Sequence, residues 1–166
     1  MIRNKGFTLI EILVGMAIIL ILSSASYFGF VSFSRSQNLN IARDNLRNTL
    51  NEARSRALSQ VVVNCSPNQT LFGHQIRFYS TYYEIEEVCR DVNSPYTITY
   101  PPPKKRVSLS TGSTGISFNP TPLSPILFLR STGGISDVIN RVVTLQNIVS
   151  QTRTVTVNPA GVISSN

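Results

Sequence analysis

The feature that most constrains this chain is a stretch of 23 residues without a charged side chain, between Glu11 and Arg35. Within it, Ile12 to Leu22 is an apolar run that only Gly15 interrupts. As an α-helix rising ~1.5 Å per residue, residues 7–30 span ~36 Å, which is enough to cross a hydrocarbon core of ~30 Å. The sequence therefore predicts a transmembrane helix at residues 7–30.

The helical pattern continues beyond this stretch and becomes amphipathic. No Pro or Gly interrupts residues 30–60, and apolar residues recur there at steps of three and four, which places them in one stripe on a helix. The stripe consists of Leu39, Ala42, Leu46, Leu50, Ala53, Ala57 and Val61. Glu52 and Arg56 are spaced to form an i,i+4 ion pair. We expect one helix from Phe7 to about Gln60, whose second half, residues 31–60, packs its stripe on a sheet.

The remainder of the chain, residues 61–166, has the pattern of short strands separated by turns. All nine prolines and six of the nine glycines lie beyond residue 66, and several segments between them alternate in polarity. The predicted strands are residues 75–80, 82–88, 96–100, 106–110, 115–118, 126–129, 142–149, 153–157 and 162–164. We expect an antiparallel meander that covers the helical stripe, so the predicted fold class is α+β.

Composition and motifs argue against an enzyme or a metal protein. The 166 residues include one His and two Cys, fewer than the roughly four clustered ligands of a zinc module. His74 has no partner near it in sequence, and we find no nucleophile motif and no phosphate-binding loop. Glu84 and Glu86 share one strand face, which could bind a cation, but a solvated face is the expectation. The sequence therefore predicts no catalytic residue, no metal and no cofactor.

The N-terminus carries a specific motif. Arg3 and Lys5 precede Gly6, and the segment Phe7-Thr8-Leu9-Ile10-Glu11 follows. A short basic leader that ends in Gly, then Phe, then Glu at the fifth position, resembles the N-terminus of type IV prepilins and pseudopilins. The resemblance implies that a prepilin peptidase cleaves off residues 1–6 after Gly6 and methylates the new amino group of Phe7.

The same resemblance gives Glu11 a role in assembly. It implies that the carboxylate pairs with the N-terminus of a neighbouring subunit and sets the register between the two chains. A carboxylate within an apolar segment costs several kcal/mol unless it is partnered, and an ammonium group next to it lowers that cost. The implied partners are other pilin or pseudopilin subunits, the prepilin peptidase and the membrane.

The motif also implies the location of the chain. Positive charges are nearly balanced across the apolar segment, with Arg3 and Lys5 before it and Arg35 and Arg43 after it, so charge alone does not orient it. The leader motif implies a single-pass protein in the inner or cytoplasmic membrane, with residues 61–166 exported, and a pilus or pseudopilus after assembly.

Two further features refine the resemblance. Many major pilins carry a helix-kinking Pro at the position that Phe28 occupies here, and its absence favours a minor subunit or a pseudopilin. The segments 48–58, 116–118 and 154–163 resemble the GspH/FimT-like subgroup of minor pilins and secretion pseudopilins.

The two cysteines, Cys65 and Cys89, would lie in the exported part of the chain. Disulfides are common in exported domains, and a bond here would tie the first hairpin to the base of the helix. Two buried thiols are the alternative.

Three other interpretations remain open. Lys104, Lys105 and Arg106 form a basic cluster that could contact a nucleic-acid backbone, as in DNA-binding minor pilins; a solvated or subunit-facing patch is the simpler alternative. Residues 23–26 could imitate the cleavage site of a secretory signal peptide. The chain could also be a single-pass membrane protein that never polymerises.

Overall fold

The computed structural model describes residues 8–62, 64–94, 97–102, 105–109, 115–121 and 123–166, and within these it leaves out the side chains of residues 24–28. The chain divides into two compact units, Met1–Gln37 and Asn38–Asn166. The helix from Asn38 onward therefore belongs to the same unit as the strands, although the strand pattern of the sequence begins only at residue 61.

One helix, α1, runs from Leu9 to Leu58, close to the limits that the sequence predicts. Within the described residues, no helix is both long and apolar enough to cross a membrane. The transmembrane assignment of residues 7–30 therefore stays a prediction.

The end of α1 is set by a Schellman motif. The Val61 N–H donates to the Arg56 carbonyl at 3.1 Å, the Gln60 N–H donates to the Ala57 carbonyl at 3.3 Å, and Gln60 has a φ of 50°. This pair of bonds satisfies carbonyls that the end of a helix leaves open. Because the chain turns at Gln60, Val61 leaves the helical stripe and is 40% exposed. Its assignment to the stripe was wrong.

The other six stripe residues are buried, with at most 6% of each exposed. They form one core with apolar residues of both sheets, among them Ile76, Tyr83, Ile85, Phe128, Leu145 and Val155. The prediction that this face of the helix packs on strands is confirmed.

The described strands overlap every predicted one. They are β1 (Gln69–Phe78), β2 (Tyr82–Asp91), β3 (Ile98–Thr99), β4 (Lys105–Ser108), β5 (Ser117–Phe118), β6 (Ile126–Leu129), β7 (Arg141–Gln146), β8 (Thr152–Val157) and β9 (Ile163–Ser165). The α+β class is confirmed.

The prediction of a single antiparallel meander was wrong, because the strands form two antiparallel sheets. Among the described residues, the first sheet has the order β3-β2-β1-β6, with β4 also paired to β2, and the second has the order β5-β7-β8-β9. The chain contributes β5 to the second sheet before β6 returns to pair with β1.

Strand β1 begins six residues before its predicted start, and a bulge explains why. The register of β1 on β2 shifts between Leu71 and Gly73, which breaks the alternation of the sequence. A Cβ at Gly73 would collide with the carbonyl oxygen of Phe128 on β6. Glycine at this position lets β6 lie against β1 and so fixes the edge of the first sheet.

Candidate functional site

Glu11 lies in the first turn of α1 and forms a capping box with Thr8. The backbone N–H and the hydroxyl of Thr8 each donate to Glu11 Oε2 at 2.9 Å, and the Glu11 N–H donates to Thr8 Oγ1 at 3.4 Å. This reciprocal arrangement satisfies N–H groups that the start of a helix leaves open. The carboxylate therefore has local partners within its own chain and lies at the N-terminal end of the helix. Gly6 and Phe7 lie outside the described residues.

The helix that follows Glu11 exposes its apolar side chains. The large hydrophobic residues between Leu9 and Leu22 are 48–79% exposed, and they point in all directions around the helix. An apolar surface of this extent marks a site of protein–protein or membrane interaction. It is much more exposed than the stripe in the second half of α1.

Residues 1–27 match the family model for the prokaryotic N-terminal methylation motif. Over these residues the chain is similar to the N-terminus of type IV pilin-like proteins. The match includes the predicted leader, the predicted cleavage position after Gly6 and Glu11, which are the residues that carry the resemblance. Comparison of the chain with curated proteins and with solved structures finds no significant match.

The chain has a disulfide between Cys65 and Cys89, with Cα atoms 5.7 Å apart. It joins the segment after α1 to the end of β2, so the predicted tie between the helix base and the first hairpin is confirmed. The alternative of two buried thiols is excluded in this structure. Closing a loop with a sequence separation of 24 contributes roughly 3 kcal/mol to stability in the chain-entropy account.

The two described members of the predicted basic cluster have acidic partners within the chain. Lys105 Nζ lies 2.7 Å from Glu52 Oε2, and Arg106 Nε lies 2.5 Å from Glu84 Oε1. Hydrogen bonding from Lys105, and then from Arg56, lowers the pKa of Glu52, while burial opposes the shift. Hydrogen bonding to Glu84 raises the pKa of Arg106. Lys104 lies outside the described residues.

The expectation that Glu84 and Glu86 form a solvated strand face was wrong. The two residues are only 3% and 5% exposed, because basic side chains of neighbouring strands lie over them. Arg106 pairs with Glu84, and Arg77 Nε lies 3.2 Å from Glu86 Oε2. Glu86 Oε2 also accepts a hydrogen bond from Gln75 at 2.6 Å. The cations that this face holds are arginines of the same sheet.

His74 has a partner that sequence proximity did not indicate. Strands β1 and β2 place it opposite Glu87, with His74 Nε2 3.8 Å from Glu87 Oε1, and both side chains are at least 99% buried. Glu87 Oε2 accepts a hydrogen bond from the Asn64 backbone N–H at 2.8 Å. A hairpin register centred on the Ser80–Thr81 turn would have predicted this pair.

Proposed function

We propose that this chain is a structural subunit of a type IV pilus or of a type II secretion pseudopilus. A prepilin peptidase cleaves it after Gly6 and methylates Phe7, and the chain is held in the inner or cytoplasmic membrane before assembly. The observation that carries the proposal is the methylation motif at residues 1–27 on a helix whose first turns expose large apolar side chains. Lipid covers these side chains before assembly, and helices of other subunits cover them in the filament.

In this proposal, Glu11 exchanges its partners when the subunit assembles. In the single chain, Thr8 donates two hydrogen bonds to the carboxylate. In the filament, the ammonium group of a neighbouring Phe7 replaces part of this capping interaction. An ion pair in surroundings of low dielectric constant is much stronger than one in water, so it both attracts the neighbour and sets its axial position.

We further propose that the subunit is a minor pilin or a pseudopilin of the GspH/FimT-like kind. The backbone of α1 is helical without interruption from Leu9 to Leu58, through the position of Phe28. This agrees with the absence of the kinking Pro. Residues 61–166 form the exported part.

The test uses a cell that carries a complete assembly system and compares Glu11→Ala with the wild type. Mass spectrometry of the N-terminus reports cleavage and methylation, and the ratio of chain in sheared filaments to chain in membranes reports assembly. We expect Glu11→Ala to reduce filament incorporation at least tenfold while membrane insertion stays intact. Thr8→Ala, which removes only the capping hydroxyl, should reduce incorporation less.

Asp44→Ala is the matched control, because it removes an exposed carboxylate from the same helix outside the motif. It should assemble like the wild type. Normal incorporation of Glu11→Ala would contradict the register role. An intact Met1–Gly6 segment on the purified chain would instead favour a single-pass protein that does not polymerise.

DNA binding by a minor pilin is the alternative to a purely structural role. Pairing of Lys105 with Glu52 and of Arg106 with Glu84 supports the structural role, because paired cations attract phosphate less strongly. Duplex DNA retardation by the full chain in detergent at low salt, weakened by Lys104→Ala, Lys105→Ala and Arg106→Ala together, would favour the alternative. No retardation would exclude it.

A further inference from the structure

The disulfide lies in a cluster of Cys, Glu and His side chains, which are residue types that bind metal ions in proteins. The Sγ atoms of Cys65 and Cys89 and a carboxylate oxygen of Glu87 all lie within 4.8 Å of one another. His74 Nε2 lies 3.8 Å from Glu87 Oε1. These residues come from three places in the chain, namely the segment after α1, strand β1 and strand β2. The fold therefore brings together two sulfurs, one carboxylate and one imidazole.

Two thiolates, a carboxylate and an imidazole form a donor set that suits Zn²⁺. Zinc binds sulfur at ~2.3 Å and nitrogen or oxygen at ~2.0–2.2 Å in a tetrahedral arrangement, which separates neighbouring donor atoms by roughly 3.3–3.8 Å. The distance of 3.8 Å from His74 Nε2 to Glu87 Oε1 is at the upper end of this range, and a Glu87 oxygen lies within 4.8 Å of each sulfur. The imidazole must move towards the sulfurs to complete the set. The sulfurs must part after the disulfide breaks, and rotation of the cysteine side chains allows this.

The surroundings of the cluster also fit a bound metal ion. Glu87, His74 and Cys89 are at most 1% exposed, which restricts access of water to the cluster. The Asn64 N–H donates to Glu87 Oε2 at 2.8 Å and so orients the carboxylate while its other oxygen faces His74. A hydrogen bond to the outer atom of a ligand is a usual device for holding that ligand in place.

We propose that reduction of the Cys65–Cys89 disulfide converts this cluster into a binding site for one Zn²⁺ ion, with Cys65, Cys89, Glu87 and His74 as ligands. A dithiol reductant breaks the S–S bond by supplying two electrons and two protons, and is itself oxidised to a cyclic disulfide. The metal ion then displaces the two thiol protons, which go to solvent, and accepts one electron pair from each of the four ligands.

The consequence is that the segment after α1 is joined to β2 either by the disulfide or by the metal ion. In the oxidised chain, a covalent bond joins the segment after α1 to β2. In the reduced chain, the metal ion joins the same segments and adds β1 through His74. The base of the helix thus stays attached to the first hairpin in either redox state when zinc is present. This inference does not depend on filament assembly.

The experiment uses the full chain in detergent, reduced with a dithiol that is then removed under anaerobic conditions, and Co²⁺ as the spectroscopic probe. We expect one Co²⁺ per chain, with thiolate-to-metal charge-transfer and tetrahedral ligand-field absorption, and complete displacement by one equivalent of Zn²⁺. The oxidised chain should show neither absorption. Glu87→Gln and His74→Gln should each weaken Co²⁺ binding by about tenfold or more.

The matched control is Asp44→Asn, which removes an exposed carboxylate from α1 and should leave Co²⁺ binding unchanged. Circular dichroism of the reduced chain, with and without Zn²⁺, covers the case in which reduction unfolds it. Recovery of the native spectrum on adding Zn²⁺ would support the proposal. It would be overturned by the absence of charge-transfer absorption in reduced chain, or by its persistence in the double variant Cys65→Ser, Cys89→Ser.

Discussion

Gln60 holds a backbone conformation that glycine adopts more readily. Its φ of 50° is in the left-handed region, which costs a residue with a Cβ about 1–2 kcal/mol. Gly at this position removes that cost but gives the unfolded chain more freedom, which offsets about 0.4–1 kcal/mol.

We therefore predict that Gln60→Gly raises the free energy of unfolding by about 0.5–1 kcal/mol, measured by urea denaturation. Gln60→Ala keeps the Cβ and should give no increase. Equal stabilisation by both variants would show that the effect does not come from the left-handed conformation.

Glu52 makes the stability of the chain depend on pH. Hydrogen bonding from Lys105 lowers its pKa from the ordinary value of 4.5. A carboxyl whose pKa is lower in the folded state stabilises that state above the unfolded pKa, and this contribution disappears as the pH falls through the folded pKa.

We predict that Glu52→Gln is less stable than the wild type at neutral pH and that the difference shrinks as the pH falls below about 4.5. Urea denaturation across this range measures it. Asp44→Asn, an exposed substitution on the same helix, should stay within about 0.5 kcal/mol of the wild type at neutral pH. A constant difference at all pH values would contradict the titration of Glu52.

The sequence identified the motif around Glu11 but missed the surroundings of other candidate residues. The motif around Glu11 is local, so it could be read directly, and Thr8 three residues earlier is a recognisable capping signal. The burial of Glu84 depends on Arg106, which lies 22 residues away on another strand. Alternation along β2 could not reveal a cover that comes from a distant part of the chain.

At the level of elements, the second half of α1 has a buried apolar face and an exposed face. The buried face packs its apolar stripe against both sheets, whereas Ile41 on the same half is 55% exposed. Leu46 is 0% exposed and lies in the middle of the stripe. The contribution of each position to stability should follow this difference in burial.

We predict that Leu46→Ala lowers the free energy of unfolding by about 2–5 kcal/mol. Ile41→Ala, the matched exposed substitution, should change it by less than about 0.5 kcal/mol. Chemical denaturation of the two variants gives the comparison. Similar losses would mean that the stripe is not the main contact of the helix in this unit.

Strand positions were predictable because several strands alternate locally and turn residues separate them, but strand order was not. The return of β6 to β1 depends on the close approach of Phe128 to Gly73, a contact between residues far apart in the sequence. The extended prediction for residues 142–149 failed at its end, because Asn147 to Ser150 form a turn and Ser150 has a φ of 61°.

At the level of the whole molecule, the division after Gln37 separates a unit that has a buried apolar core from one whose apolar side chains are exposed. The unit Asn38–Asn166 contains the core cluster, including the six buried stripe residues. The apolar residues between Leu9 and Leu22 lie in the other unit and are exposed. Burial of apolar surface is the main favourable term in folding, so the second unit should fold without the first.

We predict that a fragment of residues 38–166 unfolds in one cooperative thermal transition, followed by circular dichroism. A fragment of residues 47–166 lacks Leu39, Ala42 and Leu46 and should show no such transition. An unfolded 38–166 fragment would contradict the independence of this unit.

The disulfide also determines what a protease leaves behind. Ser80 and Thr81 form an exposed turn between β1 and β2, and the bond between Cys65 and Cys89 encloses that turn. A single nick there would leave both fragments covalently joined. They would migrate as one band on a non-reducing gel and as two after reduction, so limited digestion followed by electrophoresis can report whether the disulfide is formed.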